Sequence, residues 1–590
     1  MTMAVEEQTE VAAATRWLES FAAALAKANV GDVTALFRTD SHWRDMVTFT
    51  GEIRTLSGAG LIAQTLSAAS RNGHPRAFVI DTQRSAPAQV LRAGYTVIEV
   101  FFRFETDTAR ARGIVRLDPQ SLDGDAPKAW TLFTEVDEFK GHEETIGGRR
   151  PRGEVYSRDF SGPNWLDRRQ LDSRYDDRDP TVLIVGGGQA GLSIAARLRQ
   201  LNVDALVIDR YARIGDNWRL RYHALTLHNQ VYANHLPYMP FPPNFPTYLP
   251  KDKLASWFEA YVDSMEINYW TSTELLGAER DEANDCWIAR FRQNGVERTM
   301  RPRHIIMATG ASGTPIMPNP PGLDSFRGLA VHSSRYEDPK PWKGRHAVVV
   351  GTGTSGHDVA QDLHSNGVSV TMVQRSPTLI VGVEPAGQLP YTLYHEGRTL
   401  DECDQIAASM PLAWFEKLHR MLAVQAREID RDLIEALKRA GFRINEEDET
   451  GWQFMYLNRG GGYYFNVGCS NLIAEGKIPV RQYDDIDQIV ADGIRFRDGS
   501  VLPADLIVFA TGYHGPEHLV GRLFGPEVAA RVGRVWGLNP KTQELNSVFN
   551  RTGQRGLWFI AGSFAQCRIL SKYLALQVKA FEAGLTTSAS

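Results

Sequence analysis

Apolar residues recur at helical spacing from Val11 to Leu25, with Trp17, Leu18 and Phe21 on one stripe, and this periodicity predicts an amphipathic helix near the start of the chain. Two runs rich in β-branched and aromatic residues, Gln89–Phe104 and Ala129–Phe139, read as strands. Helices first and a strongly curved antiparallel sheet after make an α+β plan for residues 1–140. Residues 141–178 lose this periodicity and are dense in Arg, Asp, Gly and Pro, so they read as a linker that Trp165 and Leu166 would pin to the next domain. Beyond it the pattern changes. Short unbroken apolar runs, Thr181–Val185, Ala205–Ile208, His346–Val350 and Val368–Val373, have the character of parallel strands buried on both faces. From Leu400 to about Arg439 the spacing predicts two charged amphipathic helices, as a cover over the preceding unit or else as a substrate lid or subunit contact.

Two of the apolar strands run straight into glycine-rich turns. Val185 leads into Gly186-Gly187-Gly188-Gln189-Ala190-Gly191 and then a helix-like stretch. Gly186 and Gly188 let the backbone turn tightly and approach a pyrophosphate at the helix N-terminus, and Gly191 lets that helix pack closely. The following strand ends at Asp209, with Arg210 beside it, at about the 20-residue spacing where an acid accepts hydrogen bonds from a ribose. Val350 enters Gly351-Thr352-Gly353-Thr354-Ser355-Gly356 in the same way, but here the second strand ends in Gln374 and Arg375. A guanidinium at that place can pair bidentately with a 2′-phosphate, which favours NADPH over NADH; the alternative is a solvated surface charge. Two such units in one chain point to a flavoprotein reduced by a nicotinamide cofactor.

Composition narrows the setting. The 590 residues leave room for three or four domains, and a formal net charge of −5 argues against a general nucleic-acid binder. The start of the chain carries acids where a secretory signal carries basic residues, no window reaches the length of an uncharged spanning helix, and Thr586–Ser590 is polar. Cytoplasm, with no membrane partner, is therefore the expected compartment. Cys286, Cys403, Cys469 and Cys567 are scattered without a Cys-x-x-Cys pair, which removes the dithiol route used by disulfide reductases and leaves no metal site of Cys/His spacing.

Between the two glycine turns, Phe326, Gly328, His332 and Tyr336 meet the pattern Phe-x-Gly-x-x-x-His-x-x-x-aromatic. On these residues the chain resembles the flavin-containing monooxygenases, a family of class B flavoprotein monooxygenases, from about Asp179 to near its C-terminus. The resemblance implies an FAD-binding domain in two parts, residues 179–340 and 485–590, around an NADPH-binding domain at 341–484 with a helical insertion. The fold class expected is thus α/β with two Rossmann-like domains, preceded by the α+β domain. Gly215-Asp216-Asn217-Trp218 is similar to the family segment that packs on the flavin. Leu225-Thr226-Leu227-His228 is similar to the one that meets both cofactors, with Asn229 next to it. Ala308-Thr309-Gly310 and Ala510-Thr511-Gly512 resemble the two crossings between domains. The first quarter resembles the cone-shaped nuclear-transport-factor fold, in which Asp40, His42 and Asp45 would line or rim the cone, for packing or for acid/base chemistry.

What the resemblance implies for chemistry is hydride transfer from NADPH to FAD, an oxygen adduct at flavin carbon C4a, and transfer of one oxygen atom to a small organic substrate. His228 and Asn229 are the candidate catalytic residues. Baeyer-Villiger relatives place an arginine where Glu384 stands here, so that device is absent; His228 and the N-terminal extension instead resemble the type II branch, for which ketone oxidation and use of NADH stay open. Two other readings remain at this stage: a NADPH oxidase or reductase that releases hydrogen peroxide, and a flavin-binding scaffold without turnover. A homodimer is compatible with either.

Overall fold

The structure is a computed structural model and describes residues 2–121, 127–151 and 161–585, with side chains from residue 9 onward. The polar tail Thr586–Ser590 and linker residues 152–160 lie outside the described residues.

Two five-stranded parallel sheets form the body. In spatial order the first contains Asn268–Trp270, Ala205–Ile208, Val182–Val185, His304–Met307 and Leu557–Phe559; the second contains Leu329–His332, Leu506–Phe509, His346–Val350, Ser369–Gln374 and Val480–Gln482. The central strand of each, Val182–Val185 and His346–Val350, feeds a helix, Gln189–Gln200 and Thr354–Ser365, that covers one sheet face. This is the doubly wound arrangement whose ligand crevice lies at the carboxyl ends of the strands. It moves the domain boundaries read at 340/341 and 484/485. Leu329–His332 and Leu506–Phe509 both belong to the second sheet; of the strands after residue 485, Leu557–Phe559 joins the first, and the helices Glu517–Phe524, Pro526–Val532 and Phe564–Glu582 pack into its core. Leu329–His332 is a half-exposed edge strand and so lacks the buried apolar signature that identifies its neighbours. The chain crosses between units at Thr314–Pro315 and Tyr513–His514, which follow the two Ala-Thr-Gly segments and pair antiparallel with one another.

The N-terminal sheet has seven strands, and all its pairings are antiparallel except Phe37–Met46 on Ala129–Phe139. The run Gln89–Phe104 is not one strand but a hairpin, Ala88–Arg92 and Tyr95–Glu105, because Ala93 and Gly94 both adopt positive φ (50° and 78°) in a two-residue turn. One face packs on the helices Thr2–Ala26, Val30–Ala35 and Ala59–Gly73 through Trp17, Phe21, Phe102 and Phe104. The opposite face, with Met46, Phe101, Ile114 and Phe133, joins the core of the first parallel sheet. Tyr573, on the final helix, donates from its hydroxyl to Glu135, and Arg44 reaches Glu544 at 2.6 Å. Asp40, His42 and Asp45 do not converge. Asp40 is exposed and paired with Arg38, His42 bonds Ser57, and Asp45 is fully buried with four hydrogen bonds from Phe49, Thr50 and Thr134.

Three helices, not two, fill 400–439: Leu400–Ala408, Leu412–Ile429 and Arg431–Arg439. Asp430 breaks the apparent long second helix, turning its carboxylate onto the Gly382 amide at 2.7 Å. These helices also touch more than the second unit. Arg84 and Arg112 of the N-terminal unit pair with Asp401, and Tyr95, Trp130 and Trp414 pack together through tilted and edge-to-face contacts. In the linker, Trp165 is half exposed but donates to Glu266 at 2.6 Å, whereas Leu166 is exposed and pins nothing. The anchor is Tyr175, buried in the first sheet's core with its hydroxyl 2.7 Å from Asp204. Among the described residues no helix is long and apolar enough to cross a membrane.

Candidate active site

The first glycine turn is shaped by close backbone contacts. Gly186 sits at φ +110°, where a Cβ would lie 2.6 Å from the Ala308 carbonyl oxygen, and a Cβ on Gly191 would lie 1.9 Å from the Gly186 oxygen. Gly188 differs: its backbone is ordinary, and a Cβ would meet only the Asn217 amide nitrogen at 2.9 Å. Gln189 and Ala190 begin the helix, and the Gln189 amide donates to the Gly562 carbonyl at 3.1 Å. Asp209 accepts from the Gly187 and Tyr211 backbone amides at 2.7 and 3.0 Å, so this carboxylate braces the turn as well as ending the strand. Arg210 is exposed against the Tyr211 ring. Tyr269, which the sequence did not single out, lies over Gly187, its hydroxyl 1.9 Å from where a Cβ would be.

The second turn repeats the geometry, with Gly351 at φ +115° against Ala510 and Gly356 against the Gly351 carbonyl. A Cβ on Gly353 would meet nothing within 4 Å, which leaves open space above the helix N-terminus. Thr354 donates to the Tyr463 carbonyl at 3.2 Å, with Ser355 next in the same helical turn. Arg375 is exposed at the strand end, and its carbonyl accepts from Arg443 at 2.6 Å. Arg443 comes from 68 residues later, so no local spacing announced this second guanidinium. Arg375→Ala is expected to raise KM for NADPH by roughly tenfold or more while barely changing NADH kinetics, since a charge-assisted hydrogen bond contributes about 1.5–3 kcal/mol. Equal losses with both coenzymes in steady-state assays would reassign Arg375 to packing.

The fingerprint residues tie the units together. His332 donates from Nε2 to the Gly512 carbonyl at 3.1 Å while its Nδ1 accepts from the Ser334 amide, and Thr511 donates to the Ile316 carbonyl at 2.7 Å. The Tyr336 hydroxyl reaches Asp362 at 3.0 Å. A Cβ on Gly328 would lie 2.6 Å from the Phe326 ring. Of the four, His332 ties to the second crossing and Tyr336 to the helix Thr354–Ser365, and none of them lines the cavity.

That cavity, about 240 Å³, is lined by Gln189, Trp218 and Phe564 from the first unit, Thr354 from the second, and the His228-Asn229 segment between them. The Trp218 indole nitrogen has no partner among the described residues. His228 Nε2 lies 3.6 Å from Asp358, a largely buried carboxyl whose pKa is raised by burial and which accepts from the Tyr222 hydroxyl. Asn229 donates to the Tyr391 hydroxyl at 3.0 Å. Glu384 does not enter the cavity wall; it accepts from Gln230 at 2.7 Å and from the Tyr248 hydroxyl. Asp358 follows Thr354 by one helical turn, a spacing the sequence does reveal once His228 is known to face that helix.

Comparison with known proteins matches this geometry. A family profile described as pyridine nucleotide-disulphide oxidoreductase fits residues 183–386. Indole-3-pyruvate monooxygenase YUCCA1 of Oryza sativa subsp. japonica is 31% identical over 376 residues, covering 62% of this chain and 86% of the relative. The probable indole-3-pyruvate monooxygenase YUCCA4 of Arabidopsis thaliana is 30% identical, covering 57% of this chain and 75% of the relative. Among solved folds, OTEMO in complex with FAD and NADP and an open form of cyclohexanone monooxygenase each superpose with a TM-score of 0.51, at 16% and 15% identity. They cover 69% of this chain and 85% and 88% of their own. The chain belongs to the class B flavoprotein monooxygenases. It is an oxidoreductase whose cofactors are FAD and NADP, and its residues fit them: two cradles that side chains would fill, and an unpartnered indole N–H where they meet. All four cysteines are buried and free, so the disulphide chemistry in the profile's description has no pair to work on.

Proposed function

We propose that this enzyme places one oxygen atom of O2 onto a small organic substrate in the 240 Å³ cavity, and that sulfide, amine and ketone substrates are its candidate classes. The observation that carries the reading is the meeting of both glycine turns, through Gln189 and Thr354, at one cavity that also holds His228. FAD, when bound, supplies the electron transfer and the activation of oxygen. The chain's own contribution is to hold the dinucleotides on Gly186–Gly191 with Asp209, Asn217 and Trp218, and on Gly351–Gly356 with Arg375. His228, backed by Asp358, presents its imidazole to the cavity, whose walls are largely aromatic and limit its contact with water. The N-terminal unit, read as the nuclear-transport-factor type, supports the body from the far side of the final helix, and the cytoplasm is its proposed setting. Counting NADPH consumed against oxygenated product tests the function: near-equal amounts support it, and peroxide as the sole product replaces it with an oxidase.

His228→Ala is expected to keep near-normal anaerobic reduction of FAD by NADPH but to divert several-fold more turnover to hydrogen peroxide, because the cavity loses its placed proton donor. Unchanged coupling in the variant would take His228 out of the chemistry and leave Asn229.

A further inference from the structure

The cavity wall opposite Trp218 comes from the insertion between Gln374 and Val480, and it carries three phenols: Tyr391, Tyr456 and Tyr463. Tyr391 accepts from Asn229, so its own proton is free to point elsewhere. The hydroxyls of Tyr456 and Tyr463 have no partner among the described residues. Three phenols on one cavity wall, two of them without a protein acceptor, are placed to donate to an acceptor brought from outside. Burial raises the pKa of all three, and they lie close enough for ionisation of one to oppose that of another. They are donors at any working pH.

We propose that Tyr391, Tyr456 and Tyr463 are the substrate-docking group, and that they select an uncharged molecule presenting a carbonyl or similar acceptor oxygen on a ring-sized apolar body. The inference rests on the monooxygenase reading. Among the described residues no Arg, Lys, Asp or Glu lines the cavity, so a carboxylate or ammonium would enter without a counter-charge, at a desolvation cost that phenols only partly offset. An aromatic cage for a cation needs ring faces turned to one point. Here Trp452 meets Phe465 edge to face at 4.7 Å and 75°, and Tyr463 meets it edge to face at 5.4 Å and 66°, so the rings pack edge on face against one another and do not turn three faces to one point. The flavin side is already served by Gln189, Trp218 and the start of the final helix, which leaves the insertion wall to the substrate.

The test uses the oxidised holoenzyme without NADPH and reads binding from perturbation of the flavin spectrum and from calorimetry. The probes are acetophenone, benzoate, benzyltrimethylammonium and thioanisole. Acetophenone is expected to bind at least roughly tenfold more tightly than either ion. The double variant Tyr456→Phe/Tyr463→Phe, which keeps ring volume, is expected to weaken acetophenone by roughly five- to tenfold while leaving thioanisole, flavin content and NADP affinity unchanged. Equal binding of either ion, unchanged acetophenone affinity in the variant, or a parallel loss for thioanisole would overturn the proposal. So would loss of flavin or NADP, which would assign the hydroxyls to a cofactor. The variant's near-UV circular dichroism and flavin content check its fold, and the single Tyr463→Phe stands in if the double variant fails to fold. A wild-type enzyme that oxygenates substrates with NADPH while the variants bind acetophenone normally separates failure of this inference from failure of the function.

Discussion

Gly188→Val is expected to purify folded and colourless, with less than about a tenth of the wild-type flavin. The argument is steric and local. A first side-chain atom at this position meets only the Asn217 amide, the far end of a side chain that can swing away, and the Gly188 backbone is in a region any residue adopts. The protein itself therefore tolerates the change at a cost of about 1–3 kcal/mol, the range for moderate overpacking. A bound pyrophosphate does not: it must approach the amides at the start of Gln189–Gln200, and valine methyls would stand in that path. Gly191→Val makes the contrast. There a Cβ falls 1.9 Å from the Gly186 carbonyl oxygen, backbone that cannot move without breaking the turn, and the expected outcome is loss of the fold. The ratio of flavin to protein absorbance, read beside far-UV circular dichroism, separates the two. A folded Gly188→Val enzyme with full flavin would mean that the first glycine turn does not hold the cofactor.

Those turns are the part of the molecule most legible in the sequence, and the reason is physical. A buried parallel strand must be apolar at every position, and the tight turn after it demands glycine at Gly186 and Gly191 and again at Gly351 and Gly356, so Val182–Gly191 and Ala347–Gly356 announce themselves without any knowledge of the rest. The edge strand Leu329–His332 has no such constraint and was folded into the wrong unit. The cavity wall was less legible still. Tyr391, Tyr456 and Tyr463 lie on a 3-10 segment, a helix and a short strand, and only the tertiary fold of the insertion brings them together. His228 was recognised by its segment, yet Asp358, its nearest charged neighbour, belongs to the other nucleotide unit. Side chains contributed across units leave no periodic trace in a single chain.

The N-terminal unit's hold on the rest is concentrated in a few buried contacts. Arg116 is fully buried in the sheet, donates to Glu99 at 2.9 Å, and donates through its other nitrogen to Ser409 at 2.7 Å, at the end of Leu400–Ala408. Arg92 adds a second pair to Glu99 at 2.8 Å. One buried carboxylate thus pairs with two guanidiniums, one of which crosses to the insertion that also builds the cavity wall.

Glu99→Gln is accordingly expected to destabilise the N-terminal unit by about 3–5 kcal/mol at neutral pH, the cost of leaving a buried charge uncompensated. Burial alone pushes the Glu99 carboxyl up, but Arg116 and Arg92 more than offset this and hold it at about 2, against an ordinary value of 4.5. A carboxyl depressed in the folded state contributes stability that is present above its unfolded value. That contribution is lost as the pH falls from about 4.5 through about 2. The difference between wild type and Glu99→Gln is therefore expected to be full at pH 7, nearly full at pH 5, and to shrink steadily below that. Urea titrations at each pH would show it, followed by the fluorescence of Trp17 and Trp43, which are buried in this unit, because a chain of several domains need not unfold in one step. A gap of the same size at pH 3 as at pH 7 would mean that Glu99 acts through its shape and hydrogen bonds and not through its charge. Arg116→Met separates the clasp from the sheet. If the contact with Ser409 matters to the cavity, this variant loosens substrate binding as well as the N-terminal unit, whereas Arg92→Met affects the N-terminal unit alone.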